Sequence, residues 1–174
     1  NRARQQLLNR FPQRYRQHIL DFASNLSALD ADVLIFTARK AACFFHCLEH
    51  LRLWSAGTRV VTTDRHLDHD SGWVQGKRVA VIDEVIVSGT SLYRLKSALI
   101  AAGAAQITIH ALFINKDWFV GDFFADGTLA ESYIELDGPD AQALGTIIVR
   151  AFQCLPRPYS IDYPMSGWIT LSEH

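Results

Sequence analysis

Two adjacent acids carry the clearest chemical signal in this sequence. Asp83 and Glu84 directly follow residues 79–82, a four-residue apolar run rich in β-branched side chains. A run of this length and composition is too short for a helix and is typical of a strand buried on both faces of a parallel sheet. We therefore expect both carboxylates to lie at the carboxyl end of a buried strand, where the chain leaves the sheet.

A small, hydroxyl-rich turn comes next, formed by Val87, Ser88, Gly89, Thr90 and Ser91. Leucines spaced by three and four then predict a helix that begins at this turn and ends at Gly103. The free N–H groups and the dipole of a helix N-terminus favour a phosphate. The two acids would repel a phosphate, so they suit the hydroxyls of a sugar or a divalent cation. Ribose 5-phosphate offers both a sugar and a phosphate.

Residues 79–91 resemble the thirteen-residue signature of the type I phosphoribosyltransferases: four hydrophobic residues, two acids, two hydrophobic residues and small residues around a glycine. The resemblance implies that Asp83 and Glu84 hold the ribose hydroxyls of phosphoribosyl pyrophosphate (PRPP), and that residues 87–91 hold its 5-phosphate. It further implies that a nitrogenous base displaces pyrophosphate, with Mg²⁺ as cofactor. The competing interpretation of the same residues is an ordinary buried strand followed by a helix cap.

The resemblance also implies a pyrophosphate loop after the first core strand, formed by Ala38, Arg39, Lys40 and Ala41. Arg39 and Lys40 would supply positive charge to the leaving group. Ala41 departs from the family pattern, because a glycine is expected where the backbone comes closest to the ligand. Residues 64–76 form a long polar loop of the kind that is usually functional or disordered. Arg65 is its predicted pyrophosphate contact, with His66 and His69 as the next candidates.

Lys116 and Trp118 follow the fourth predicted strand and are the candidates for contact with the base. In open α/β sheets, ligands bind outside the carboxyl ends of the strands. An equally acceptable interpretation places Trp118 in the core and Lys116 in solvent. Aromatic residues of the tail could form a base-recognising hood or pack on another subunit or domain; they are Tyr159, Tyr163 and Trp168.

Two weaker metal patterns are present. His46, Glu49 and His50 match the H-x-x-E-H spacing of some zinc peptidases, but a catalytic zinc needs another ligand from elsewhere. We interpret this segment instead as a helix covering the sheet, with Cys43 and Cys47 as small core residues. The Asp/His mixture of residues 64–76 could also bind a metal. We expect no directly ligated metal beyond Mg²⁺ held through PRPP, with Asp83 and Glu84 nearby.

Composition narrows the class of protein. The chain has 174 residues, of which 49% are hydrophobic and 20% charged, with a formal net charge of −1. These values are typical of a soluble globular protein and argue against a nucleic-acid surface driven by bulk charge. Three cysteines without framework spacing indicate a reducing compartment, so we expect a cytoplasmic protein. No membrane span or signal peptide is expected. The first residue is Asn1, which is compatible with a piece of a longer chain, and a homodimer remains open.

Alternating strand and helix patterns predict an α/β fold: an open, mostly parallel five-stranded sheet with helices on both faces, an N-terminal helix and an irregular C-terminal tail. We expect an N-terminal helical segment at 1–28, a phosphoribosyltransferase-like core at 29–155 and a tail at 156–174. The predicted function is phosphoribosyl transfer in nucleotide metabolism. The alternative is a non-catalytic module that binds PRPP or a nucleotide, acting in regulation or in bacterial stress and defence.

Overall fold

The computed structural model describes residues 2–37, 41, 58–63, 72–153 and 169–170. The helices are α1 (Arg2–Arg10), α2 (Gln13–Ser27), α3 (Thr90–Ala101) and α4 (Gly138–Gln153). The strands are β1 (Val33–Thr37), β2 (Arg59–Thr63), β3 (Arg78–Ile86), β4 (Gln106–Asn115), β5 (Ile134–Leu136) and β6 (Ile169–Thr170). Short 3₁₀ turns lie at Gly72–Val74 and Gly121–Phe124.

One sheet organises the described part of the chain, with the strand order β5-β4-β3-β1-β2-β6. The first five strands pair in parallel, which confirms the predicted five-stranded parallel core. The sixth strand pairs antiparallel with β2, through Val61 and Thr170. The tail therefore adds a two-residue edge strand where the sequence predicted irregular structure. A pairing this short leaves no periodicity from which it could have been predicted.

Helices cover both faces of the sheet, as predicted. On one face α1, α2 and α4 share a hydrophobic cluster with the strands, and α3 shares a second cluster with them on the other face. The aromatic and aliphatic stripe of α2 lies in the first cluster, through Tyr15, Ile19, Phe22 and Leu26. The second cluster contains the leucine stripe of α3, formed by Leu92, Leu95 and Leu99.

The N-terminal segment is two helices rather than the single helix that was predicted. The helix α1 ends at Arg10, and α2 begins after Pro12. Proline has no N–H, and it disfavours helical geometry in the residue before it. Pro12 therefore separates the helices and occupies the position just before α2, with an extended ψ of 140°.

The strand β3 runs further than its apolar run suggested. Residues 79–82 are buried as expected, but pairing with β4 continues through Val85 and Ile86. The expectation that the chain leaves the sheet at Asp83 is therefore corrected: both acids lie inside the strand. Val85 and Ile86 are β-branched and buried, which accounts for the longer pairing.

The strand β1 pairs with only part of the longer β3. Pairing between the two strands extends only from Val33 opposite Val79 to Phe36 opposite Ile82. The pairing with β1 therefore ends at Ile82, whereas β3 continues to Ile86. The neighbours of β1 are β2 on one side and β3 on the other, so the chain order reverses across the sheet at this point. Such a reversal creates the crevice in which open α/β sheets bind ligands.

None of the helices in the described ranges combines the length and the apolar character required to cross a bilayer.

Candidate functional site

Asp83 and Glu84 are buried, with relative exposures of 2% and 4%. The Thr37 hydroxyl donates a 2.9 Å hydrogen bond to Asp83 Oδ1, and the Glu84 N–H donates another of 2.9 Å to the same oxygen. Thr37 is the last residue of β1, so the bond joins the carboxyl ends of two neighbouring strands. Hydrogen bonds to a buried carboxylate compensate for its lost hydration and fix its orientation.

Gly89 gives the turn before α3 its shape. Its φ is +88°, in the left-handed region that glycine adopts most easily. The Ser88 and Thr90 hydroxyls lie 3.1 Å apart, and the Thr90 N–H lies 3.3 Å from Ser88 Oγ. The first turn of α3 contains no acidic residue, so its dipole presents uncompensated positive character to the turn.

A cavity of about 60 Å³ joins the acid to the turn. It is lined by Asp83, Val85, Ile86, Val87, Ser88, Gly89, Ser91 and Leu92. This volume admits a few water-sized groups, and it is therefore comparable with a phosphate rather than a whole nucleotide. The structure thus brings Asp83 and four of the five predicted phosphate-binding residues around one space.

Two predicted residues stand apart from that cavity. Thr90 does not line it and instead contacts the Ser88 hydroxyl, so it can orient that group. Glu84 is buried next to Asp83 but is also outside the lining.

A larger cavity of about 740 Å³ adjoins the first through Val87, which lines both. Its walls are Asn115 at the end of β4, Trp118 in the segment after it, and one side of α4, with Gly138, Pro139, Ala141, Gln142, Gly145, Thr146 and Arg150. Trp118 is 67% exposed, so the interpretation that placed it in the core is wrong. Lys116 is exposed and is not among the residues that line either cavity.

Asn115 is a residue of this region that sequence reasoning did not select. It is buried at the end of β4, and its Oδ1 accepts the Asp117 N–H at 3.1 Å. The Asp117 carboxylate in turn accepts the Gly138 N–H at 2.7 Å. These bonds connect the loop after β4 to the start of α4. The only available signal was the position of Asn115 directly after an apolar strand.

Several candidate residues lie outside the described residues: Ala38, Arg39, Lys40, Cys43, His46, Cys47, Glu49, His50, Arg65, His66, His69, Tyr159, Tyr163 and Trp168. Ala41 is described and is buried. Within the ranges that the structure covers, no group of three or more His, Cys, Asp or Glu side chains could hold a metal.

Comparison of the sequence with protein-family models and with curated proteins finds no match. Solved structures do match. A hypoxanthine-guanine phosphoribosyltransferase from Bacillus anthracis is similar with a TM-score of 0.50 and 17% identity, over 78% of this chain and 79% of that chain. A second structure of that protein, with a HEPES molecule in its active site, gives a TM-score of 0.51 and 16% identity over the same shares.

A purine phosphoribosyltransferase from Pyrococcus horikoshii is also similar, with a TM-score of 0.48 and 21% identity, over 70% of this chain and 82% of that chain. Identities this low bear on the fold alone. Both Bacillus anthracis comparisons cover more than three quarters of each chain. Together with the parallel sheet and the helices on both its faces, they show that this chain has the α/β fold of the phosphoribosyltransferases.

Proposed function

We propose that this chain binds PRPP and transfers its phosphoribosyl group to a nitrogenous base, releasing pyrophosphate. The observation that carries the proposal is that Asp83 and the turn before α3 line one cavity. A carboxylate on one side suits the hydroxyls of ribose. Hydroxyls and a helix N-terminus on the other side suit a phosphate. The phosphoribosyltransferase fold supports the same substrate class.

The two cavities fit the two parts of such a reaction. The smaller cavity accepts the 5-phosphate. The larger one, at about 740 Å³, lies within the range of small-molecule sites and is open to the acceptor. Trp118 offers an exposed aromatic face on which a base can stack. Lys116 directly follows Asn115 and does not line the cavity. Its side chain would therefore have to extend toward the cavity to contact the acceptor.

The proposed reaction requires no protein nucleophile. A base nitrogen attacks the anomeric carbon of the ribose as the bond from that carbon to the pyrophosphate oxygen breaks. The bonding electron pair leaves with pyrophosphate, and the base loses its N–H proton to solvent. Positive charge develops on the sugar ring, and the buried carboxylates of Asp83 and Glu84 favour that charge.

The described residues fit a magnesium ion that is bound mainly by substrate. Asp83 and Glu84 supply carboxylate oxygens, the ligand type that Mg²⁺ prefers. No larger set of potential metal ligands occurs in the described ranges. Mg²⁺ is commonly held by one or two carboxylates together with substrate phosphates. When bound, the ion would neutralise charge on the leaving pyrophosphate.

A second candidate is a module that binds PRPP or a nucleotide without turnover. It is favoured by Ala41, which stands where the family pattern has a glycine in the pyrophosphate loop. A β-carbon at this position would restrict the approach of a pyrophosphate to the backbone. Such a module would retain the site for ribose 5-phosphate and lose the leaving-group site.

Calorimetric titration with PRPP and Mg²⁺ tests the shared part of both candidates. We expect binding by the unaltered chain and none by the double variant Asp83→Asn/Glu84→Gln. The matched control is Glu135→Gln, which removes an exposed carboxylate on β5 and should bind like the unaltered chain. Retained affinity in the double variant would show that the pocket is misassigned.

Measurement of pyrophosphate release with a panel of purine and pyrimidine bases separates the two candidates. Release with at least one base supports transfer. Binding without release on any base supports the non-catalytic module. Absence of PRPP binding contradicts transfer, and absence of binding to both PRPP and nucleotides contradicts both candidates.

A further inference from the structure

The segment after β4 is attached to the turn that forms the smaller cavity. The Val120 N–H donates a 3.1 Å hydrogen bond to the Ser88 carbonyl. A β-carbon built on Gly89 would lie 3.0 Å from Phe124 Cε2 and 3.5 Å from Phe119 Cε2, so both rings pack closely over the glycine. Those rings stack on one another, with an interplanar angle of 5°. We refer to residues 119–126 as the strap.

Lys96 on α3 holds the far end of the strap. Its Nζ makes a 2.5 Å ion pair with Asp126 Oδ2 and lies 3.4 Å from the Phe123 carbonyl. It also lies 5.7 Å from the centroid of the Phe124 ring. The Thr128 N–H and hydroxyl donate to the other Asp126 oxygen. Lys96 and Thr128 together hold the pKa of Asp126 well below its ordinary value, at about 2, so the carboxylate is charged at neutral pH.

A lysine is an unexpected choice for this position. Its side chain is only 7% exposed, and it lies on the buried side of α3 together with Leu92, Leu95 and Leu99. Burial of an ammonium group is costly unless it is paired, and a methionine or leucine would pack in the same stripe without that cost. Packing alone therefore does not explain Lys96. Among the described residues, its ammonium group contacts Phe123, Phe124 and Asp126 of the strap, and the strap in turn contacts Ser88 and Gly89.

We propose that Lys96, through Asp126, is a positioning residue for the phosphate-binding turn. It holds the strap against Ser88 and Gly89, and the turn is thereby kept in the conformation that accepts the 5-phosphate of a phosphorylated ribose. This inference rests on the proposed function for its ligand. The geometry of the turn is fixed before binding, so a ligand does not have to order it.

The variant Lys96→Met separates positioning from stability. Methionine fills a similar volume, and Asp126 remains in solvent because its side chain is 55% exposed. Replacing Lys96, the buried partner of the ion pair, leaves no buried charge. The free energy of unfolding should therefore stay within error of the original value or rise. Affinity for ribose 5-phosphate, measured by calorimetry without Mg²⁺, should nevertheless fall by about tenfold.

Three further variants complete the test. Lys96→Arg keeps the positive charge and should recover most of the affinity. Asp126→Asn leaves the Lys96 ammonium buried without its carboxylate, so it should lower both affinity and stability. Arg94→Met is the matched control, because it removes an exposed positive charge from the same helix and should change neither.

Hydrogen exchange supplies a readout that does not depend on any ligand. In Lys96→Met, peptides covering residues 86–92 should exchange faster, whereas peptides from β1 and β4 should be unchanged. Equal affinity and equal exchange in Lys96→Met and the unaltered chain would overturn the proposal. If the unaltered chain binds neither PRPP nor ribose 5-phosphate, the proposed function fails. Faster exchange at 86–92 would then still support Lys96 as the residue that orders this turn, and equal exchange would overturn that role as well.

Discussion

The hydrogen bond between Thr37 and Asp83 gives the sharpest test of how the site is built. Both side chains are almost completely buried, at 0% and 2% exposure, and the bond length is 2.9 Å. Hydrogen bonds to charged groups contribute roughly 1.5–3 kcal/mol in proteins. Thr37→Val keeps the shape of the side chain and removes its hydroxyl, which lies 2.9 Å from Asp83 Oδ1 and also 3.4 Å from the Ile82 carbonyl. We therefore expect the free energy of unfolding to fall by about 2 kcal/mol in urea denaturation at neutral pH.

Affinity for ribose 5-phosphate should fall in the same variant, because Asp83 loses the donor that orients it from β1. Thr37→Ser is the matched control: it keeps the hydroxyl and loses one buried methyl group, at a cost of about 1 kcal/mol. We expect this control to bind the ligand like the unaltered chain. A loss of affinity in Thr37→Ser equal to that in Thr37→Val would indicate a packing effect and contradict the role of the hydroxyl.

A double-mutant cycle isolates the interaction itself. In an Asp83→Asn background the acceptor is neutral, and neutral hydrogen bonds contribute only about 0.5–1.5 kcal/mol. Thr37→Val should therefore cost about 1 kcal/mol less in that background than in the unaltered chain. The cost of Thr37→Ser should be the same in both backgrounds. Additive effects of Thr37→Val and Asp83→Asn would refute the charge-assisted bond.

Three other predictions concern the turn, the sheet and the larger cavity. Gly89→Ala should lower the free energy of unfolding by about 2 kcal/mol in urea denaturation, because alanine is strained at a φ of +88° and its methyl group would meet Phe124 at 3.0 Å; unchanged stability would contradict this geometry. Burial lowers the pKa of His110 from 6.5 to about 4, so the unfolded chain binds a proton that the folded chain does not. Stability should therefore fall by about 3 kcal/mol between pH 6.5 and pH 4, and His110→Gln should lack this component in denaturation curves across pH. Trp118→Ala should leave the affinity for ribose 5-phosphate unchanged and weaken binding of the acceptor base, measured with ribose 5-phosphate present; equal loss of both would place Trp118 outside the acceptor site.

The parts of the site that could be predicted lie in one continuous stretch of the sequence. The apolar run of β3, the acids, the small turn and the leucine period of α3 follow each other without interruption, and each has a local physical signature. The parallel core followed from the same alternation of strand and helix patterns. Local signatures also explain the two corrections at element ends: Pro12 divides the N-terminal helices, and β-branched Val85 and Ile86 extend β3.

The supporting contacts could not be predicted because they join residues that are far apart in the chain. Thr37 meets Asp83 across 46 positions, and Lys96 meets Asp126 across 30. No spacing rule relates such pairs, since their meeting depends on strand order and on the path of the strap. The helical period places Lys96 on the buried face of α3, four residues after Leu92 and three before Leu99. Its ion-pair partner, Asp126, becomes visible only when the strap is placed over α3.

The choice between an enzyme and a binding module concerns two different groups of residues. In the proposed function, binding of ribose 5-phosphate depends on Asp83, Glu84 and the turn at 87–91, supported by Thr37 and Lys96. We propose that turnover depends in addition on the predicted leaving-group residues Arg39, Lys40 and Arg65, and on an acceptor at the larger cavity. The two groups of residues belong to different segments, so one can change while the other is retained. Binding of PRPP that is no tighter than binding of ribose 5-phosphate would therefore locate a loss of activity in the leaving-group residues. Tighter binding of PRPP without release of pyrophosphate would locate the loss at the acceptor side instead.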